Sequence, residues 1–86
     1  SNYPNPFNPE TQIRYELLSD SFVELSIYNI NGQLMNSLVS ADLEAGVYNA
    51  IWNGADNKGT EVASGVYLMQ LKTNNEVITN KITLLR

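Results

Sequence analysis

The sequence predicts an all-β protein, a small antiparallel β-sandwich of about seven strands. Apolar and polar residues alternate over several short runs, as in Thr11–Leu17, and this alternation is typical of half-buried strands. Turn-forming residues recur between the runs, among them Asn31-Gly32 and Asn74-Asn75. No stretch sustains a helical period, so we expect little or no helix.

The turn residues divide the chain into its expected strands. Asn31-Gly32 favours a two-residue type I′ hairpin turn, in which both central residues need a positive φ. We expect a longer loop over Ser40–Gly46 and a polar loop with two glycines over Asn53–Gly59. In chain order the predicted strands are Thr11–Leu17, Phe22–Ile30, Gln33–Val39, Val47–Asn53, Glu61–Ala63, Val66–Thr73 and Glu76–Leu85.

Alternation assigns one stripe of each strand to the core. Asn80 falls on the inward stripe of the last strand, where an unpaired buried amide would cost about 1–3 kcal/mol. We therefore expect it to find a partner or to lie near an edge. The predicted core consists of Ile13, Tyr15, Val23, Leu25, Ile27, Leu38, Tyr48, Trp52, Tyr67, Met69, Leu71, Ile82 and Leu84.

One short pattern occurs twice. Ala45-Gly46-Val47-Tyr48 is echoed by Ser64-Gly65-Val66-Tyr67, and nothing around the two segments aligns. We expect each glycine to form a turn or bulge at the start of a strand, where a Cβ would clash. Each tyrosine should then point inward with its hydroxyl near the rim. The pattern predicts two similarly built strands.

The sequence begins with a proline-rich run, Tyr3-Pro4-Asn5-Pro6-Phe7-Asn8-Pro9. Proline fixes φ and lacks a backbone donor, so this run can be neither helix nor central strand. We expect residues 1–10 to form an extended leading segment or linker end, with Phe7 plugging the sandwich, and residues 11–86 to form the domain. Pre-extended proline segments also bind partners at low entropic cost, so Tyr3–Pro9 could be a recognition epitope.

Composition argues against several classes of function. The net charge of −4 argues against a nucleic-acid partner, which would need a basic face. There is no histidine, which excludes a serine–histidine triad, and no apolar run is long enough to span a membrane. There is no cysteine either, so no disulfide supports the fold. We expect no enzymatic activity, no cofactor, no metal and no stable membrane insertion.

Three groups of residues could carry hidden chemistry, and each has a simpler explanation. Asp56, Asn57, Gly59 and Glu61 resemble part of a calcium loop, but Lys58 intrudes and a structural polar turn is favoured. Asp42 and Glu44 favour a solvated loop over a carboxylate pair. An aromatic sugar-binding face could be formed, although core packing is favoured, by Tyr3, Phe7, Tyr28, Tyr48, Trp52 and Tyr67.

The chain resembles the type A C-terminal sorting domain of type IX secretion cargo proteins over essentially its whole length. The similarity rests on the proline-rich run, Ile27-Tyr28-Asn29 with Asn31-Gly32-Gln33, Ala45–Tyr48, Ser64–Tyr67 and the terminal Lys81-Ile82-Thr83-Leu84-Leu85-Arg86. The segment from Trp52-Asn53-Gly54 through Gly65-Val66-Tyr67 is also similar to the immunoglobulin-like domain of flagellar hook-capping proteins. Both resemblances imply an immunoglobulin-like β-sandwich.

The sorting-domain resemblance implies a protein that carries a cargo domain at its N-terminal side. Such a chain passes through the periplasm, is recognised by an outer-membrane translocon and is cleaved by a sortase-like peptidase at or upstream of Ser1. The cargo then reaches the cell surface or the medium. The matching signal positions are Gly46, Tyr48, Gly65, Tyr67 and Lys81, of which Lys81 is expected to face solvent and to contact the receptor.

Two other classes of function remain open at this stage. The domain could be a carbohydrate-binding accessory module, or a structural immunoglobulin-like domain of a hook cap or surface assembly. The hairpin Val66–Leu85 could also present an exposed sheet edge, to which a receptor adds a strand or through which the domain forms a weak homodimer.

Overall fold

The computed structural model describes residues 10–86, which form two antiparallel sheets with no helix, and hence none able to cross a membrane. The all-β sandwich prediction is confirmed, with six strands instead of about seven. The strands are β1 (Thr11–Leu17), β2 (Ser21–Asn29), β3 (Leu34–Leu43), β4 (Gly46–Trp52), β5 (Gly65–Lys72) and β6 (Val77–Leu84). The expectations for residues 1–9, including the plug at Phe7, lie outside the described residues.

The two sheets are unequal in size. One contains only β1 and β4, and the other has the strand order β3-β2-β5-β6. Only Glu44 and Ala45 separate β3 from β4, so the chain crosses from the larger to the smaller sheet in two residues. The expected long loop over Ser40–Gly46 is therefore wrong, because Ser40–Leu43 pair with Ser21–Glu24 and extend β3.

Two bulges change the side-chain phase of β3. Ser26 pairs with Ser37 and Leu25 with Val39, which leaves Leu38 as an extra residue, and a second register shift lies between Ile27 and Tyr28. A bulge inserts one residue without a partner and bends its strand. Inward positions on β3 are consequently not spaced by two, and simple alternation does not describe this strand.

The first hairpin turn differs from the expected type I′ turn. The N–H of Gly32 donates to the carbonyl of Asn29 at 3.0 Å, and Gly32 has a φ of 83°. The central residues are therefore Ile30 and Asn31, and the left-handed glycine follows them, as in a three-residue loop with a bulge. Asn29 Oδ1 fixes this geometry by accepting from the N–H groups of Asn31 and Gln33, each at 2.9 Å.

The predicted strand at Glu61–Ala63 is reduced to one bridge between Ala55 and Glu61. The loop that contains it is held to β3 instead of forming a strand beside it. The Asn36 side chain donates to the carbonyl of Ala55 at 2.8 Å, and the N–H of Asn57 donates to the carbonyl of Met35 at 2.9 Å. These bonds satisfy the backbone of the loop locally, so no ladder forms.

The core lies between the sheets and matches the sequence prediction closely. Every predicted core residue is either buried or packs against the buried cluster, with Leu38, Tyr48, Met69 and Ile82 in the second group. Buried hydrophobic residues that the prediction omitted are Leu17 and Ala55. Asn80 is exposed on the edge strand β6, so its amide is in contact with solvent. This confirms the expectation that Asn80 lies near an edge.

Arg86, which follows β6, forms hydrogen bonds with the loop after β4. Its guanidinium donates to the carbonyls of Gly54 and Val62, and its N–H donates to Ser64 Oγ at 3.0 Å. Glu61 lies 3.6 Å from the same guanidinium, but its side chain is exposed and this ion pair adds little. Gly54 has a φ of 78°, and a Cβ there would lie 2.9 Å from Arg86 Nη2 and 3.3 Å from Leu84 Cδ1.

We expect Gly54→Ala to destabilise the domain more than Gly59→Ala. Both glycines have φ near 80°, at 78° and 85°, which costs an alanine about 1–2 kcal/mol. A Cβ at Gly59 meets nothing within 4 Å, whereas one at Gly54 displaces Arg86. The free energy of unfolding in urea should therefore fall at least about 1 kcal/mol further for Gly54→Ala. Equal losses in the two variants would show that Arg86 contributes no stability through this contact.

The burial of Tyr15 predicts a loss of stability at alkaline pH. Burial, and then the nearby Tyr48, raise the pKa of Tyr15 above 10.0. The fold therefore favours the neutral phenol, and this contribution is complete below pH 10 and is lost as pH rises from there through the folded pKa. We expect thermal unfolding midpoints to fall less steeply above pH 10 in Tyr15→Phe than in the unmodified chain. Parallel curves would contradict this assignment.

Candidate recognition surface

The repeated glycine and tyrosine positions form two nearly identical structures. Gly46 opens β4 with a φ of 154°, and Gly65 opens β5 with a φ of 153°. The hydroxyl of Tyr48 donates to the carbonyl of Glu44, and that of Tyr67 donates to the carbonyl of Ala63, each at 2.6 Å and each four residues upstream. A tyrosine whose hydroxyl returns to the upstream backbone is the tyrosine corner of β-sandwiches.

The glycines serve a different purpose from the one expected. A Cβ at Gly65 would meet nothing within 4 Å, and one at Gly46 would meet only Tyr48, at 3.9 Å. The expected clash is therefore wrong. Glycine is favoured because both positions have a positive φ that residues with a Cβ rarely adopt. The tyrosine orientation is confirmed, since Tyr67 is buried and Tyr48 half-buried while their hydroxyls reach the backbone at the strand ends.

The two corners lie at opposite ends of the sandwich. Gly46 pairs with Leu17 at the end of β1, and Tyr48 stacks on Tyr15 with ring centroids 5.5 Å apart. Tyr67 instead meets the edge of Trp52 at 5.2 Å, at the end where β4 finishes. The five predicted signal positions are thus not brought into one site, and at least four of them shape the fold.

Lys81 is the predicted position that faces solvent. It is exposed on β6 and pairs with Leu68, which pairs in turn with Tyr28 on β2. Tyr28 pairs with Leu34 on β3, so these four residues form one row across the outer face of the larger sheet. Leu34 is half exposed, and the row combines apolar surface with a single cation.

A groove of about 500 Å³ opens between β1 and the β5–β6 hairpin. It exists because the two-stranded sheet does not extend over β6. Its apolar lining includes Ile13, Met69, Leu71 and Ile78, and Glu16 and Glu76 also border it. A mostly apolar groove beside strand edges suits an extended peptide better than a reacting substrate.

The acidic residues that could have formed a calcium loop or a carboxylate pair either support a turn or border a shallow depression. Asp56 Oδ1 accepts from the N–H groups of Lys58 and Thr60, at 2.9 and 3.0 Å, so this loop is the favoured polar turn. Asp42 and Glu44 border a depression of about 270 Å³ with Asp20, whose Oδ1 accepts from the N–H of Ala45. Among residues 10–86, no three acidic, histidine or cysteine side chains are grouped as metal ligands would be.

Among the residues that the structure describes, the aromatic side chains named in the sequence analysis do not form an exposed row. Trp52 is fully buried, and its Nε1 donates to the carbonyl of Ala55 at 2.8 Å. Tyr67 is also buried, so core packing accounts for both rings. Tyr3 and Phe7 lie outside the described residues, with the rest of the run Tyr3-Pro4-Asn5-Pro6-Phe7-Asn8-Pro9.

Removing the corner hydroxyls should have unequal effects. We expect Tyr67→Phe to lower the free energy of unfolding by about 1–2 kcal/mol, because it leaves a partly buried carbonyl without its donor. Tyr48→Phe should cost about 0.5 kcal/mol or less, because its hydrogen bond is exposed and water can replace it. The losses should add within about 0.5 kcal/mol in the double variant, since the corners are far apart. Strong non-additivity in urea unfolding would contradict two independent corners.

Comparison with solved structures identifies the same fold in a flagellar protein. The structure of FlgD from P. aeruginosa superposes with a TM-score of 0.66 at 21% sequence identity. The alignment covers 87% of this chain and 58% of that chain, so the domain corresponds to little more than half of the FlgD chain. At this identity the likeness establishes the fold alone. No curated protein matches the sequence.

The family assignment comes from the sequence itself. The model of the FlgD Ig-like domain matches residues 7–76, which is most of the chain and includes both tyrosine corners. The match spans β1 to β5, and the superposition on FlgD agrees with it. The chain therefore belongs to the FlgD Ig-like domain family.

Proposed function

We propose that this domain is a non-catalytic structural module of a larger surface or hook-cap protein, and that it works through protein–protein contact. The proposal rests on one observation: polar side chains that could have formed a reactive site instead form hydrogen bonds with the domain's own backbone. Asp56, Asn29 and the hydroxyls of Tyr48 and Tyr67 bond to the domain's own backbone. Membership of the FlgD Ig-like family supports a role in assembly.

The exposed surface is suited to contact with another protein. Apolar side chains remain accessible on several strands, with Val47 and Ile51 on β4 and Val77 on β6 each at least half exposed. They lie on strands whose other outward residues are mostly polar. Exposed strand edges beside such side chains can bind a partner by backbone pairing, with alternate side chains giving specificity.

A second candidate is the type A sorting domain of type IX secretion. It is favoured by the proline-rich run Tyr3–Pro9, by the two Gly-Val-Tyr segments and by the exposed Lys81. In that function the domain directs an N-terminal cargo through the periplasm to an outer-membrane translocon. A sortase-like peptidase then removes it, and the cargo is left at the cell surface or in the medium.

A reporter fusion separates the two candidates. Residues 1–86 are attached to the C-terminus of a periplasmic fluorescent protein in a bacterium with a type IX system. As a structural module, the folded fusion should stay in the periplasm. Surface or medium localisation that is lost in a translocon-deficient strain would overturn the structural proposal and support sorting. Lys81→Ala should then reduce export, whereas Lys72→Ala, which removes another exposed lysine of the same sheet, should not.

A domain replacement tests the structural proposal directly. The Ig-like domain of P. aeruginosa FlgD is exchanged for residues 7–86 of this chain, and hook assembly is scored by electron microscopy. We expect the chimera to restore hooks at least partly, and a Trp52→Ala chimera, which loses the centre of the core, to fail. A folded chimera that forms no hooks would contradict a hook-cap role.

A further inference from the structure

The two outer edges of the four-stranded sheet differ in how they are protected. The β3 edge has two register shifts against β2, and bulges disrupt the straight ladder that another strand would need. The β6 edge pairs with β5 from Val77 to Leu84 without a shift. Proteins usually protect such edges with charges, prolines or bulges, and β6 has only Lys81.

The hydrogen-bond phase shows which residues of β6 are open to a new strand. The N–H of Thr73 donates to the carbonyl of Glu76 at 2.9 Å, and the pairing continues in constant register. Even-numbered residues of β6 therefore bond to β5. Odd-numbered residues direct their N–H and C=O groups to the free edge, because the two kinds of pair alternate along an antiparallel ladder. Within residues 10–86 no strand pairs with this edge, and its open residues are Val77, Thr79, Lys81 and Thr83.

We propose that β6 pairs antiparallel with β6 of a second copy of this chain, with Asn80 opposite its own counterpart on the two-fold axis. In this register Ile78 lies opposite Ile82, and Thr79 opposite Lys81. The register also places odd-numbered residues opposite each other, so the N–H and C=O groups that point to the free edge form the hydrogen bonds between the two strands. Ile78 and Ile82 thus meet each other on the inward side, and Lys81 meets a neutral threonine. Leu84, which is already buried in its own domain, falls opposite Glu76 just outside β6.

Neighbouring registers are less complementary. A shift that brings Lys81 opposite itself would place like charges together, which is destabilising. The opposite shift would place Ile78 against Asn80 and Val77 against Lys81, so apolar side chains would face polar ones. A self-complementary strand is what a two-fold interface requires, because the same surface serves both partners.

The other free edge beside the groove gains less from pairing. The inward residues of β1, which are Ile13, Tyr15 and Leu17, are already buried within the monomer. On β6, Val77 and Ile78 remain 55% and 39% exposed. Pairing through β6 therefore removes apolar surface from water, and it joins the two larger sheets into one continuous sheet.

The absence of cysteine makes the register directly testable. Across a non-hydrogen-bonded antiparallel pair, Cα atoms lie about 4.5 Å apart, which suits a disulfide. Asn80→Cys in the 86-residue chain should form a cross-linked dimer on mild oxidation. Thr79→Cys and Leu34→Cys, on the same strand and on the opposite edge, should cross-link far more slowly. Faster cross-linking of Thr79→Cys would overturn this register, and equal rates in all three would overturn the interface.

The equilibrium is measured without cross-linking by sedimentation over a range of concentrations. The unmodified chain should show a reversible dimer. Thr79→Pro, which removes an N–H from the free edge only, should raise the dissociation constant at least about tenfold. Leu34→Lys, a matched surface change on β3, should leave it unchanged, and thermal melts confirm that each variant folds. A chain that stays monomeric at all concentrations would overturn the proposal and leave the edge for strands of other proteins.

Discussion

The packing of Trp52 holds the two sheets against each other. Trp52 ends β4 in the small sheet, is fully buried, and meets the edge of Tyr67 from the large sheet. Its indole N–H and the side chain of Asn36 both donate to the carbonyl of Ala55, so one acceptor joins β4, β3 and the loop after β4. A two-stranded sheet has few side chains with which to hold a four-stranded one, and a large ring with a satisfied polar atom supplies much of that contact.

The tyrosine corners complete the fold at its two ends. Each begins with a glycine in a positive-φ conformation and closes with a hydroxyl bonded four residues upstream. Together they fix how the chain enters β4 and β5, which belong to different sheets. In a domain without disulfides, these local bonds limit the freedom of the segments that precede both strands.

Much of this architecture could be predicted from the sequence, and the failures have physical causes. Alternation identified β1 and β2 because every second residue of each is buried, and the turn residues between β5 and β6 located those two strands, whose mutual register is constant. It failed on β3, where bulges change the phase, and on Glu61–Ala63, where side-chain bonds replace a ladder. The contacts of Arg86 join residues more than twenty positions apart, and no local pattern encodes such a return.

Of the candidate recognition residues, the sequence predicted the structural ones better than the functional ones. The Gly-Val-Tyr pattern was visible because both corners impose the same local requirement on glycine and tyrosine. The open β6 edge was foreseen only as a hairpin with a free side. Its contrast with the bulged β3 edge depends on the register of β2 and β3, which the sequence does not display.

The chain resembles two families with different functions because the shared residues build the fold. The glycines, tyrosines and tryptophan in the resembling segments are residues that build the corners and the core. Any protein that keeps this sandwich needs them, whether it caps a hook or directs export. Residues that build the sandwich therefore do not decide between the two functions, because one fold can host several. Both proposed functions place their contacts on positions that the fold leaves exposed, namely Lys81, the outer face of the large sheet and the edge of β6.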